Sequence, residues 1–252
     1  MDLDLRDLRI LVVVAFTGLL ILLRFDAARF GAAEYDDEAA PGGWRNVVRR
    51  FAWYFLGFLL AVAIFRIHPS PGPTLHLGLG SDREVAIAAG IGFGLLGTAA
   101  AALFAWWRYR RFRLPNTKLY PGAIANSMGT AIIDEVGFRG ALLGLTIAFG
   151  WPVDVAIVFQ AVIYALATRL GASGRSLAML GIFGGVGLVG GWLTVVTGGI
   201  GAALIGHAIT RFAVFLCTGH PGQVYPPGLE PEEEEAERRP PEGWRVVGEP
   251  DR

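Results

Sequence analysis

Two adjacent acids, Asp134 and Glu135, and the nearby Arg139 are the residues of this chain best suited to chemistry. On a helix, Arg139 sits one turn beyond Glu135, so those two pair on one face. Asp134 points about 100° away from its neighbour and is placed to project into a helical bundle. Adjacent carboxyls in a partly dry site push their pKa values apart, which suits a carboxylate that must activate water. His207 and Arg211, again one turn apart, form a second cluster, with Gln160 and Thr168 as weaker candidates. All of these lie in or beside apolar runs, where an ionised side chain at mid-bilayer costs at least about 3 kcal/mol and normally faces a partner or a cavity. A plainer reading stands beside each. The acids and Arg139 can be an ion pair holding a helix end, His207 a helix–helix hydrogen bond, and Arg211 a side chain snorkelling toward headgroups.

The elements that must position these residues are membrane helices. Of 252 residues, 53% are hydrophobic and only 17% charged, with mean hydropathy +0.48. Lys and Arg (22) balance Asp and Glu (22), which excludes a nucleic-acid binder working by bulk positive charge. Cys217 is the only cysteine, so no intrachain disulfide forms. Runs approaching the roughly 20 apolar residues needed to cross a bilayer occupy 8–23, 51–67, 85–107, 132–149, 153–167, 177–196 and 200–216. The expected fold is therefore all-α, a polytopic transmembrane bundle of about seven spans.

Lys and Arg cluster in alternate connections. Arg24, Arg29, Arg45, Arg49 and Arg50 follow the first span, Arg108 to Lys118 the third, and Arg169 and Arg175 the fifth. This alternation predicts the N-terminus outside and the C-terminus in the cytoplasm; the expected location is a bacterial or archaeal plasma membrane. Asp134 to Arg139 then open the fourth span at its cytoplasmic end. Thr168 closes the fifth there and Arg211 lies in the inner half of the seventh, so the three meet in one water-accessible cavity with His207 deeper inside.

The expected organisation is three N-terminal spans over 1–118, a four-span core over 119–217 and a disordered acidic, Pro-rich cytoplasmic tail over 218–252. Gly92, Gly94 and Gly97 spell a dinucleotide-binding pattern, but inside an apolar span rather than at a strand-to-helix turn. Together with the four-residue spacings Gly90–Gly94, Gly181–Gly185 and Gly187–Gly191, they read as close helix packing.

At its acids this sequence resembles the CPBP family of intramembrane proteases, which includes the type II CAAX prenyl endopeptidases and the bacterial Abi proteins. The family's E-E-x-x-x-R is matched by Asp134-Glu135-Val136-Gly137-Phe138-Arg139, its F-x-x-x-H by Tyr164-Ala165-Leu166-Ala167-Thr168, and its H-x-x-x-N/D by His207-Ala208-Ile209-Thr210-Arg211. The resemblance covers 121–216 and implies peptide-bond hydrolysis by carboxylate-activated water at the cytoplasmic side. Carried over, Asp134 is the base, Glu135 and Arg139 support it, and His207 stabilises the oxyanion or moves a proton.

Three positions depart from the family pattern. Asp134 stands for glutamate, Thr168 for the second histidine, and Arg211 for a small amide or acid. Neither His68, His76 nor His220 is placed to replace the missing imidazole, and no metal or cofactor is expected, since zinc needs three or four ligands. Two readings stay open: an endopeptidase with an incomplete catalytic set, or an inactive relative retained as a membrane scaffold or regulatory subunit. The expected partners are membrane lipid and a membrane-associated peptide or protein, with no nucleic acid.

Overall fold

The computed structural model describes residues 4–30, 44–109, 117–170 and 177–218. The expected C-terminal tail lies outside the described residues, apart from Thr218 at the end of the last helix. Among the described residues the chain is helical, with no strand.

Helix α1 (Leu5–Phe25) starts at Asp4, whose carboxylate accepts the Asp7 amide at 2.8 Å. It carries a narrow buried stripe, Val13, Thr17, Leu20 and Arg24, spaced 4, 3 and 4 residues apart along one face. Leu5, Leu8, Leu11, Leu19 and Leu22 point outward. Helix α2 (Trp44–Ile67) returns beside it. The antiparallel pair is pinned at both ends, where Arg9 Nε donates to the Ile67 carbonyl at 2.6 Å and Trp53 Nε1 to the Leu23 carbonyl at 2.9 Å.

A short helix α3 (Pro71–Leu75) and a loop follow. His76 takes a left-handed conformation (φ 51°) that ends α3. Its carbonyl accepts the Ile200 amide at 3.0 Å, and the Ser81 amide donates to the Thr197 carbonyl at 2.8 Å. The connection after α2 is thereby clasped to the turn between the last two helices. His68 and His76 both lie in this loop, and burial lowers the pKa of each below the usual 6.5.

Helix α4 (Arg83–Tyr109) packs along the last helix. A Cβ on Gly90 would stand 2.8 Å from the Ile205 Cβ, one on Gly94 2.7 Å from the Ile209 Cβ, and one on Gly97 would collide with Thr210. Gly92 faces nothing within 4 Å, and neither do Gly181 and Gly185. The expectation of close packing therefore holds for Gly90 and Gly94 and fails for Gly181 and Gly185, whose face of the helix is open. Gly187 does abut Ala161, and Gly191 abuts Gln160.

The next rod is where sequence and structure part. Helix α5 (Tyr120–Asp134) runs without a break into a π-helix (Glu135–Leu142) and then α6 (Leu143–Ala148). The span expected to begin at Ile132 thus begins some three turns earlier, and the two acids sit mid-rod rather than at a helix end. Asn126, Ser127 and Thr130 interrupted the apolar run, but the bundle buries them to 5%, 2% and 1% exposure, so polarity here marks the interior rather than a loop. Gly137 and Gly140 in the π-turn admit the Leu20 and Leu77 side chains.

Helix α7 (Val153–Leu170), helix α8 (Leu177–Thr197) and helix α9 (Gly201–Thr218) complete the bundle. Among the described residues, four helical stretches are long and apolar enough to cross a membrane: Leu5–Phe25, Val47–Ile67, Arg83–Trp107 and Leu180–Thr197. Val153–Thr168 and Gly201–Cys217 are shorter apolar helices. The chain is an integral membrane protein.

Candidate active site

Hydrophobic contact fixes the frame before any polar group is considered. Val13 and Leu20 of α1, Trp53 and Ile64 of α2, Leu75 of α3, and Ile133, Ala141 and Leu145 of the central rod form one core cluster. Phe138 packs edge-on against Tyr164 of α7, with ring centroids 5.2 Å apart. These contacts set the rotation of the rod, which aims Asp134 at α1 and Glu135 at α9.

Asp134 is fully buried and ion-pairs with Arg24 Nε at 2.9 Å. Sequence reading assigned Arg24 to the positively charged connection after the first span. The structure instead places it at 2% exposure on the inner stripe of α1. Its signal was the spacing from Val13 through Thr17 and Leu20, which puts Arg24 on the buried face.

Glu135, 1% exposed, is shared. Its Oε1 lies 3.1 Å from Arg139 Nη1, so the pairing expected from helix spacing forms, and 2.7 Å from His207 Nδ1. The far side of the imidazole meets Tyr164, whose hydroxyl is 3.2 Å from Nε2. A carboxylate only accepts, so Nδ1–H donates to Glu135, and a neutral ring then accepts the Tyr164 O–H at Nε2. Tyr164, whose contacts to His207, Arg139 and Phe138 the sequence does not disclose, stands where the resemblance expects phenylalanine. Its ring also carries the Arg139 guanidinium 4.0 Å from its centroid. Arg139 Nη2 donates to the Val186 carbonyl at 3.3 Å, and Gly190 leaves room for the guanidinium.

Arg211 does not snorkel outward. It is 7% exposed, and its Nη2 reaches the Asn126 side-chain oxygen at 3.3 Å. Gln160 donates to the Gly187 carbonyl at 2.7 Å and ties α7 to α8, a packing role. Thr168 is fully buried.

Glu135, Arg139 and His207 therefore meet, with Asp134 turned to Arg24, and these side chains are sealed from solvent rather than set around an open hollow. Asp134, Glu135, Arg139, Tyr164 and Thr168 are each at most 1% exposed and His207 is 3% exposed. Two cavities near the surface are apolar and separate from them. One of about 350 Å³ is lined by Phe58, Val62, Ile132 and Leu204 among others, and one of about 250 Å³ lies between α7 and α8. Among the described residues no group of three or more His, Cys, Asp or Glu is placed to hold a metal ion.

The fold and the site define a class: a helical membrane bundle whose central rods bring two acids, an arginine and a histidine together in the interior. Residues 116–213 match the family model described as Type II CAAX prenyl endopeptidase Rce1-like, consistent with the CPBP resemblance. The match covers the central rod and α7 to α9 and leaves out α1, α2 and α4. No curated protein and no solved structure matches the chain.

Proposed function

We propose that this protein is a non-hydrolytic relative of the CAAX-type membrane endopeptidases, serving as a membrane scaffold or regulatory subunit that binds a membrane partner. One observation carries the reading. The carboxylate expected to activate water, Asp134, is already neutralised by Arg24 at 2.9 Å, with the two side chains 0% and 3% exposed. A general base must reach the proton it abstracts directly or through one water. Thr168 adds no base where the family has histidine, and Arg211 brings a bulky cation to the position of a small amide.

Hydrolysis through Glu135 is the second reading, favoured by the Glu135–His207–Tyr164 hydrogen-bond chain. The test uses protein reconstituted in lipid nanodiscs with a membrane-anchored fluorogenic peptide. The expected result is no cleavage above that of Glu135→Gln. Cleavage lost in both Asp134→Asn and His207→Ala overturns the proposal. Cleavage that survives Asp134→Asn but vanishes in Glu135→Gln and His207→Ala establishes the second reading.

A further inference from the structure

The buried cluster is electrostatically unbalanced. Three guanidiniums, Arg24, Arg139 and Arg211, face two carboxylates. Arg24 takes Asp134 and Arg139 takes Glu135. Arg211 is left with the uncharged Asn126 amide, 3.3 Å away, as its hydrogen-bond partner among the described residues. Its Nε is enclosed by protein and makes no hydrogen bond there. A buried ion without a counter-charge is costly, and in a membrane interior such groups pair or face an aqueous path.

Arg211 also differs from the other two in reach. At 7% exposure it keeps some surface open, against 2% for Arg24 and 0% for Arg139. It lies seven residues before the end of α9 at Thr218, roughly 10 Å along the axis. On the neighbouring rod the Ser127 hydroxyl, next in sequence to Asn126, is 2% exposed and has no hydrogen-bond partner among the described residues.

We propose that Arg211, with Asn126 beside it, is a binding site for a phosphate-type oxyanion, supplied either by an anionic lipid headgroup or by free phosphate. A planar guanidinium matches such an oxyanion with two parallel N–H donors, and the missing counter-charge is supplied by the ligand. Among the described residues Arg211 makes no ion pair with either acid, so the site is tested apart from any hydrolysis.

The experiment compares the thermal unfolding midpoint of the full chain in phosphatidylcholine nanodiscs, in discs with graded phosphatidylglycerol, and in phosphatidylcholine discs titrated with inorganic phosphate. Chloride at matched ionic strength is the control. The midpoint is expected to rise to a plateau, and Arg211→Gln is expected to weaken the half-effect concentration at least tenfold. A rise with phosphatidylglycerol alone assigns the lipid headgroup, whereas a rise with phosphate in phosphatidylcholine discs assigns the free ion. No rise in either arm, an equal rise with chloride, or an unchanged response in Arg211→Gln overturns the proposal. Should Arg211→Gln fail to fold, Arg211→Lys and Asn126→Ala serve instead: a response weakened several-fold supports the site, and one equal to wild type overturns it.

Discussion

Replacing Arg24 by leucine removes the only cation paired with Asp134 among the described residues while leaving the hydrocarbon volume of the site nearly filled. The acid then stays at 0% exposure without its ion-pair partner. Breaking a buried pair from one side costs about 3–5 kcal/mol, whereas replacing both partners by apolar groups is often neutral or stabilising by about 1–4 kcal/mol. Arg24→Leu is therefore expected to lose about 3 kcal/mol or more, Asp134→Leu a similar amount, and the double variant much less than either. The measurement is a double-mutant cycle on unfolding in mixed micelles, with both singles and the double in one lipid composition. Exposed pairs give about 0–1 kcal/mol. A cycle in which each single variant costs under about 1 kcal/mol, or in which the costs simply add, would refute a sealed Arg24–Asp134 contact. It would also remove the ground for reading Asp134 as unavailable to water.

Other consequences are checked more simply. Tyr164→Phe keeps the ring under Arg139 but deletes the hydroxyl on His207 Nε2, so a loss of about 1 kcal/mol in unfolding free energy is expected, with a shifted imidazole signal in nitrogen NMR. Gly94→Ala should destabilise by about 1–3 kcal/mol, because its Cβ would meet the Ile209 Cβ at 2.7 Å. Gly92→Ala, facing nothing within 4 Å, should be neutral or slightly stabilising, and thermal unfolding of the two variants side by side decides. Burial holds His76 below its usual 6.5, so the folded loop binds fewer protons than the unfolded chain near that pH. Stability is then full above about 6.5 and declines as pH falls below it. Amide protection in 76–82, after division by the intrinsic exchange rate at each pH, should fall at pH 5.5 relative to pH 7.5, and less so in His76→Asn.

The membrane helices were legible because a span is written as an uninterrupted apolar run, and α1, α2, α4 and α8 are such runs. The central rod was half-hidden for the opposite reason. Its first half carries Asn126, Ser127 and Thr130, which hydropathy counts as breaks although they face protein rather than water. The Glu135–Arg139 pair could be read because it is local, one turn along a single helix. The contacts to His207, Tyr164 and Arg24 join residues distant in sequence, and only the packing of Phe138 on Tyr164 and of Leu20 on Gly137 sets which of them meet. Arg24 was the instructive miss. A charge at the end of an apolar run satisfies the positive-residue bias of a loop and an interior ion pair equally well, and the stripe of α1 residues before it was the one local clue.

The clasp between the loop around His76 and the turn at Thr197 to Ile200 also governs how this bundle can deform. Main-chain bonds there staple the α2–α4 crossover to the α8–α9 hairpin, so that end resists separation of the two halves. The opposite end of the bundle is where α5 begins and α9 finishes. There the Tyr120 ring meets Phe212 and Phe215 edge-on, at 5.9 and 6.1 Å between centroids, so aromatic side chains join what main-chain bonds join at the other end.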